Sequence, residues 1–340
     1  MDTGPGADGG TQNVTIYDVA RECGVAASTV SRAFSRPGRV SAATYERVME
    51  AAGRLGYRTA APRTQALTER KGRIAVDLPD ITNPYFAEVI RGMQEAAHAA
   101  DYLLFVVDSV ESHDRERSGL ERSLDAVDGI VLCGSRVSDA VVTQLRKLRP
   151  VMVLNRRVAG IDSLTPDYEH AMVQVMTHLR ATGVQEVVYI AGPVNSWSDA
   201  ERWRSARIVA ENVGVAIRRV GPFPPTAAGG EEAYLRLRRS LPEAVVAYND
   251  LIGMGLLVAA LRDGVDVPGA FQVVAHDDIA MARLVGRGLT TVASPKNLQG
   301  RAAIERLIGL IETPARAGRP VEGSLPVKLV PRGSTRPVTP

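Results

Sequence analysis

The residues with the best chemistry for holding a small molecule follow apolar segments that are typical of β-strands. They are aromatic, amide, arginine and carboxylate side chains. Aromatic faces pack against C–H surfaces, whereas arginine and carboxylate groups form paired hydrogen bonds with hydroxyls. Such a set favours a small polyhydroxylated ligand. The predicted ligand-binding residues are Tyr85, Phe86, Asn155, Trp197, Arg202, Asn249 and Asp277.

A second set of polar residues lies near the N-terminus, within three short segments of helical spacing. Thr15 is placed to cap the first helix, and Gly24 supplies the positive φ of the tight turn that ends it. Val48 and Ala52 form the buried stripe of the third helix. The predicted helices are Ile16–Cys23, Ala27–Phe34 and a third between Ser41 and Gly56.

The second of these helices is suited to contact DNA. Val30 and Phe34 form its apolar face, and the other faces carry Ser28, Thr29, Ser31 and Arg32. A short helix of this kind fits the major groove, where Arg32 can reach a guanine edge or a phosphate. Two helices joined by a glycine turn are typical of a helix-turn-helix. A plain three-helix bundle with an exposed polar helix has the same spacing and stays open at this point.

The charge distribution favours nucleic acid as the partner of the N-terminal region. The net charge of the 340-residue chain is only +3. Residues 13–73, however, hold 11 Lys and Arg against 5 Asp and Glu, and the sequence after them is nearly neutral. A basic block that is interleaved with helical apolar spacing is typical of a DNA-binding segment.

Composition excludes several other classes of protein. The longest apolar stretch, Leu251–Leu261, is too short for the roughly 20 residues of a membrane span. The first residues show no signal-peptide pattern. The two cysteines, Cys23 and Cys133, are too far apart in sequence to suggest a disulfide framework or a metal cluster. We therefore expect a cytoplasmic protein that needs no metal or cofactor and has no membrane partner.

Strand-like and helix-like segments alternate from Ile74 onward, which predicts an α/β fold with parallel sheets. About ten such units are too many for one compact sheet, so we expect two lobes with ligands bound at the carboxyl ends of the strands. The predicted strands are Ile74–Leu78, Tyr102–Val107, Gly129–Leu132, Val151–Leu154, Val187–Ala191, Ala244–Tyr248 and Phe271–Ala275. The predicted helices include Pro84–Ala99, Tyr168–Ala181, Ala200–Asn212, Asp250–Arg262 and Leu298–Ile311.

The N-terminal motifs resemble the headpiece of the lactose-repressor (LacI/GalR) family of transcription regulators. The matching segments are Val14–Ala20 (VTIYDVA), Gly24–Val25, Ser28–Phe34 (STVSRAF), Val40–Ser41 and Leu55–Tyr57 (LGY). The resemblance implies that Thr15 and Tyr17 contact phosphate or the groove edge. It also implies that Ala27, Ser28 and Arg32 read bases, on a helix surface that Thr29 and Ser31 complete. Such a regulator binds a palindromic operator in double-stranded DNA as a homodimer.

The segment 58–73 corresponds to the family's hinge, in which a leucine enters the minor groove. Here the leucine is Leu67, one residue later than the usual spacing, and Ala66 takes the usual position. One extra residue turns a helix by about 100°. We retain Leu67 as the predicted wedge.

The rest of the chain resembles the family's periplasmic-binding-protein-like effector domain. The matching segments are Thr82–Phe86 (TNPYF), Tyr248–Asp250 (YND), Val267–Pro268, Ala275–Asp278 (AHDD) and Leu289–Thr291 (LTT). By resemblance, Arg202 and Asp277 bind the effector. Ser205, His276 and Asn155 depart from the family's pattern, which leaves the identity of the effector open.

The predicted domains are therefore a disordered tail at 1–12, the helix-turn-helix at 13–57, a hinge at 58–73, a two-lobed effector-binding and dimerisation domain at 74–332, and a flexible tail at 333–340. The predicted function is that of a repressor controlled by a sugar or related polar metabolite. An enzyme and a solute-binding protein on the same fold are the alternatives. The chain carries no P-loop and no nucleophile-elbow motif, which disfavours an enzyme.

Overall fold

The computed structural model describes residues 14–35, 40–55, 71–314 and 318–338. The chain divides into two units, residues 1–70 and 71–340. Leu67 and most of the predicted hinge lie outside the described residues.

The N-terminal unit contains the three predicted helices, which are α1 (Ile16–Cys23), α2 (Ala27–Ser35) and α3 (Ala42–Leu55). Their core is a small apolar cluster in which Val19, Val30 and Val48 are fully buried. Both the backbone N–H and the hydroxyl of Thr15 donate to the carboxylate of Asp18, which fixes the start of α1. Gly24 ends α1 with a φ of 67°, as the turn requires.

The second unit is built from two six-stranded sheets with helices between the strands. Its first elements are β1 (Arg73–Leu78), α4 (Pro84–Ala99), β2 (Leu103–Asp108), α5 (His113–Ser123), β3 (Gly129–Cys133), α6 (Asp139–Leu148), β4 (Val151–Leu154) and β5 (Asp162–Pro166). They are followed by α7 (Tyr168–Ala181), β6 (Glu186–Ile190), α8 (Trp197–Val213), β7 (Ala216–Val220), α9 (Ala227–Leu237), β8 (Ala244–Ala247), α10 (Asp250–Arg262) and β9 (Gln272–Asp277). The last elements are a 3₁₀ turn (Ala280–Arg283), β10 (Thr290–Ala293), α11 (Lys296–Glu312), β11 (Glu322–Leu325) and β12 (Lys328–Val330).

Each sheet forms one lobe of this unit. The N lobe has the strand order β11-β5-β4-β3-β1-β2, and all its neighbouring strands are parallel. The C lobe has the order β12-β10-β9-β8-β6-β7, in which only β12 is antiparallel to its neighbour. The chain crosses between the lobes after β5, after β10 and after β11. This arrangement confirms the predicted two-lobed α/β fold.

The central strands were predicted from sequence, whereas several outer strands were not. The strands β1, β3, β4, β6, β8 and β9 are almost wholly buried and have apolar residues at their centres, which is the pattern of a strand covered on both faces. The outer strands β7 and β11 are short and largely exposed, and carry charged or polar residues. Within the described residues, no helix is both long and apolar enough to cross a membrane.

Two predicted boundaries differ from the structure. The backbone N–H of Lys71 already donates to the carboxylate of Asp128, so the second unit starts before residue 74. The predicted flexible tail at 333–340 is wrong for its first residues, since Ser334 and Thr335 are buried. The Ser334 hydroxyl donates to the Val273 carbonyl at 2.6 Å, which ties this segment to the C lobe beside β9.

The helices α4 and α11 pack closely because each has a glycine where the backbone of the other helix approaches. A Cβ atom at Gly92 of α4 would overlap the backbone oxygen of Asn297, and one at Gly300 of α11 would overlap that of Val89. This contact fastens a helix that enters from the C lobe onto the N lobe.

We expect Gly92→Ala to destabilise the protein by about 1–3 kcal/mol, because the added methyl group meets backbone that cannot move aside. Urea unfolding followed by circular dichroism measures the change. The matched control is Gly309→Ala on α11, the helix that packs against α4, where a Cβ atom would meet nothing within 4 Å. Higher helix propensity should leave that variant unchanged or slightly more stable. Equal effects of the two substitutions would contradict the close-packing argument.

Candidate functional site

The carboxyl ends of the strands in both lobes surround one small cavity, which we call the inner cavity. Its volume is about 40 Å³, enough for about three water molecules. Six of the seven predicted ligand-binding residues line it from one lobe or the other, together with residues that the sequence did not single out. The predicted residues in the lining are Tyr85, Phe86, Asn155, Arg202, Asn249 and Asp277.

Arg202 of α8 is the principal cation of the inner cavity. Its guanidinium lies between the rings of Tyr168 and Tyr248, at 5.3 and 4.9 Å from their centroids. Nη1 donates to the Tyr248 carbonyl, and Nη2 lies 3.5 Å from the Asp277 carboxylate. Nε is buried and has no hydrogen-bond partner among the described residues. Arg202 thus keeps one buried donor that no described residue uses.

Asp277, the last residue of β9, faces Arg202 across the floor of the cavity. Burial raises the pKa of its carboxyl to about 6, although Arg202 and Lys296 act in the opposite direction. The Lys296 ammonium donates to the backbone carbonyls of Asp277 and Asp278 at 2.7 and 2.8 Å. The side chain of Asp278 pairs with Arg332 instead. Of the two adjacent aspartates, only Asp277 lines the cavity.

On the N lobe, Asn155 is held by two other polar side chains. The Tyr85 hydroxyl donates to the Asn155 side-chain oxygen at 3.2 Å, and the Gln299 amide donates to the same oxygen at 2.9 Å. Gln299 lies on α11 and is fully buried. Sequence reasoning missed it because α11 reaches this position only through the crossing from the C lobe.

An ion pair between Glu111 and Arg136 also lines the inner cavity and was not predicted. Arg136 Nη2 lies 2.9 Å from Glu111 Oε2, and the arginine backbone N–H donates to the buried carboxylate of Glu116. Glu111 follows β2 and Arg136 follows β3. Their positions just after strands are the feature of the sequence by which they could have been predicted.

The loops around the cavity hold backbone conformations that L-residues seldom adopt. Six described residues other than glycine have a positive φ, and all but Asp101 stand in loops or strand ends near the cleft. Such strain persists only where the surrounding structure imposes it, and it is concentrated at functional sites. The five residues are Val110, Glu111, Asn155, Asp277 and Asp278.

Two predicted ligand-binding residues have other contacts. Trp197 is half-buried and packs on Tyr168, with ring centroids 6.2 Å apart, and it is not part of the cavity lining. Its neighbour Ser198 lines the cavity instead. The Asn249 side chain caps α10 through the Ile252 N–H and donates to the Pro225 carbonyl, so both ends of its amide are engaged.

A larger cavity adjoins the inner one, and we call it the outer chamber. Its volume is about 630 Å³, and it shares Glu111 and Pro225 with the inner cavity. The N lobe contributes carboxylates to its wall, and the C lobe contributes prolines and other apolar side chains. The remaining lining residues are Asp80, Thr82, Asp108, Val110, Pro193, Val194, Pro222, Phe223, Pro224 and Thr226.

In the N-terminal unit, the predicted DNA-contacting residues lie on the surface to different degrees. Thr15, Tyr17, Ser28, Ser31 and Arg32 are exposed, and Tyr17 is exposed to 68%. Ala27 and Thr29 are half-buried, and Ala27 packs against the apolar core of this unit. Arg32 Nε donates to the Ser28 carbonyl at 3.1 Å, one turn earlier on α2.

Two family models match the chain. Residues 15–60 match the model of bacterial regulatory proteins of the lacI family, and residues 176–335 match the periplasmic binding protein-like domain. The transcriptional repressor CytR of Escherichia coli K12 is 29% identical over 340 residues, which covers 95% of this chain and 96% of that protein.

Solved structures share the fold. The lac repressor dimer bound to operator and the anti-inducer ONPF has a TM-score of 0.71 and 23% identity, covering 95% of this chain and 99% of that chain. A complex of the transcriptional regulator CelR with cellobiose has a TM-score of 0.68 and 24% identity, covering 94% and 99%.

Proposed function

Because the chain belongs to the lacI family of bacterial regulatory proteins, we propose that it is an operator-specific repressor controlled by a sugar or a related polar metabolite. It is a DNA-binding transcription regulator and not an enzyme. The observation that carries the proposal is that one chain contains both an exposed polar helix, in its first unit, and a polar cavity between two lobes, in its second unit. A regulator that acts on operator DNA works in the cytoplasm, where we place this protein.

The surface of α2 is the proposed base-reading surface. Its exposed residues are short and polar apart from Arg32, so its backbone can approach the floor of the major groove. The Arg32 guanidinium lies against its own helix, and rotation about its side-chain bonds frees it to bind a guanine. Thr15 and Tyr17 at the start of α1 are placed to contact the DNA backbone. A symmetric dimer of such units requires a palindromic operator.

We expect Arg32→Ala to weaken binding to the operator by about 1–3 kcal/mol and to leave binding to scrambled DNA almost unchanged. Fluorescence anisotropy with both DNAs at one salt concentration measures the two affinities. Arg47→Ala, an exposed arginine on α3, is the control for loss of one positive charge. If Arg32→Ala weakens both DNAs to the same extent, Arg32 contacts phosphate and does not read a base.

We propose that a second copy of the chain covers the edge of the N-lobe sheet. β2 is an edge strand whose backbone is unpaired on one side, and it exposes Leu103, Phe105 and Val106 to 65, 45 and 41%. Unprotected apolar edges of this kind promote association. Exposed Val258 of α10 and Leu284 after the 3₁₀ turn offer a matching apolar surface on the C lobe. The structurally similar lac repressor was solved as a dimer.

We expect the double substitution Leu103→Asp and Phe105→Asp to convert a dimer into a monomer, because it would bury carboxylates without partners in the dimer interface. Light scattering coupled to size exclusion measures the mass, and circular dichroism checks the fold. The control is Val173→Asp, an exposed apolar residue of α7. A wild-type protein that is monomeric at micromolar concentration would contradict the dimer itself.

The inner cavity is the proposed effector site. Arg202 offers an unused buried donor, and Asp277 offers a carboxylate acceptor, a combination that suits vicinal hydroxyls. Residues of both lobes line this cavity, so a ligand bound in it contacts both lobes. The affinity of the protein for such a ligand therefore depends on the spacing between the lobes. Only such a difference moves a conformational equilibrium. Since the cavity holds about 40 Å³ at the described spacing, a sugar ring requires the lobes to separate.

The decisive experiment measures ligand affinity with and without operator. A thermal-shift screen of sugars, nucleosides and their phosphates identifies the ligand, since one at 100 times its Kd adds about 2.7 kcal/mol of stability. Calorimetry should then show an affinity that changes about 5- to 150-fold when operator is bound, because coupling between sites is reciprocal.

Variants of α8 connect this coupling to the cavity. Arg202→Ala and the milder Arg202→Lys should abolish or weaken the ligand response, whereas Arg204→Ala, an exposed arginine on the same helix, should not. Operator affinity without ligand should persist in all three. Equal ligand affinity with and without operator would exclude control through this cavity.

A further inference from the structure

The outer chamber has the size of a ligand site, whereas the inner cavity does not. Sites for small molecules have volumes of about 300–1,000 Å³, and the outer chamber at about 630 Å³ falls within that range. The two cavities adjoin each other, since Glu111 and Pro225 line both. A ligand that reaches the unused Nε donor of Arg202 therefore has room to extend outward between the lobes.

The two walls of the outer chamber differ in chemistry. The C-lobe wall contains Phe223, which is itself buried, and four prolines, which present rigid apolar surface. Val194 of this wall and Val110 of the opposite, N-lobe wall have exposures of 77 and 54%, well above those of core residues. A flat apolar group placed against this wall would remove exposed apolar surface from water, which is favourable.

The N-lobe wall carries a negative charge that no arginine or lysine of the lining balances. Glu111 is neutralised by Arg136. Asp80 accepts from the Thr82 N–H and hydroxyl, and Asp108 accepts from the backbone N–H groups of Ile81 and Val110. Those hydrogen bonds hold the two carboxylates in place but leave their charge uncompensated. An anionic group in the chamber would meet like charge at short range.

We propose that the outer chamber is a selectivity site, which receives a flat apolar substituent of a sugar ligand and rejects anionic substituents through Asp80 and Asp108. The ligand class is a glycoside in the broad sense: a polyhydroxylated ring beside Arg202 and Asp277, joined to an uncharged or cationic aromatic group. The inference rests on the proposed function, because it assigns the ring to the inner cavity.

The test uses the full chain and the sugar that gives the largest Arg202-dependent stabilisation in the thermal-shift screen. The probes are that free sugar and its phenyl, 4-aminomethylphenyl and 4-carboxyphenyl glycosides, each measured by calorimetry. The phenyl and aminomethylphenyl probes should bind about tenfold tighter than the free sugar or better, because the ring buries apolar surface. The carboxyphenyl probe should bind at least about tenfold more weakly than the phenyl probe.

Variants distinguish charge from shape. The double substitution Asp80→Asn and Asp108→Asn keeps the side-chain oxygens that accept the loop hydrogen bonds and removes both charges. It should restore most of the lost affinity for the carboxyphenyl probe and leave the free sugar unaffected. The control is Asp114→Asn, a fully exposed carboxylate of the same lobe outside the lining, which should restore nothing.

The outcomes separate the two proposals. If the sugar binds through Arg202 but the aromatic group adds no affinity, or the carboxylate carries no penalty that the double variant relieves, this inference is overturned and the proposed function stands. If neither the sugars nor the glycosides stabilise the protein through Arg202, the proposed effector control is overturned and this inference with it.

Discussion

The strands of the N lobe all run parallel, and so do all but one of those in the C lobe. Parallel strands place every loop that follows a strand at the same edge of the sheet. Because the chain crosses between the lobes three times, the two such edges are held face to face. The inner cavity and the outer chamber are consequences of this constraint, and so is the gathering of Arg202, Asp277 and Asn155, which are far apart in sequence.

The same constraint explains what the sequence predicted of the site. Asn155 follows β4 and Asp277 ends β9, and these buried apolar strands are recognisable without a structure. Arg136 follows β3 in the same way, but its role depends on Glu111, whose strand β2 is an exposed edge. The local sequence also cannot show that α11 returns to the N lobe, so Gln299 and Lys296 were missed.

Trp197 and Asn249 show the other limit of reasoning from strand ends. Both stand where a ligand-binding residue was expected, but side-chain direction depends on the helix that begins there. Trp197 is the first residue of α8 and packs on Tyr168, whose ring also contacts the Arg202 guanidinium. Asn249 caps α10, because the first N–H groups of a helix need an acceptor. Residues just after a strand can either cap the next helix or bind a ligand, and the Asn249 side chain caps its helix.

The electrostatics of the cleft favour a ligand that completes existing interactions rather than one that replaces them. Arg202 is buried between two tyrosine rings with a carboxylate 3.5 Å away, a long distance for an ion pair. Burial also raises the pKa of Asp277, which means that its charge is incompletely compensated at the described lobe spacing. Hydroxyl groups that donate to Asp277 and accept from Arg202 would satisfy both side chains at once. A ring of that kind needs more than the present inner cavity, so its binding favours a wider lobe spacing. Every crossing between the lobes is a short covalent link. A change of spacing at the cavity therefore becomes a rotation of one lobe against the other. This rotation is the movement that a bound ligand can transmit to a dimer.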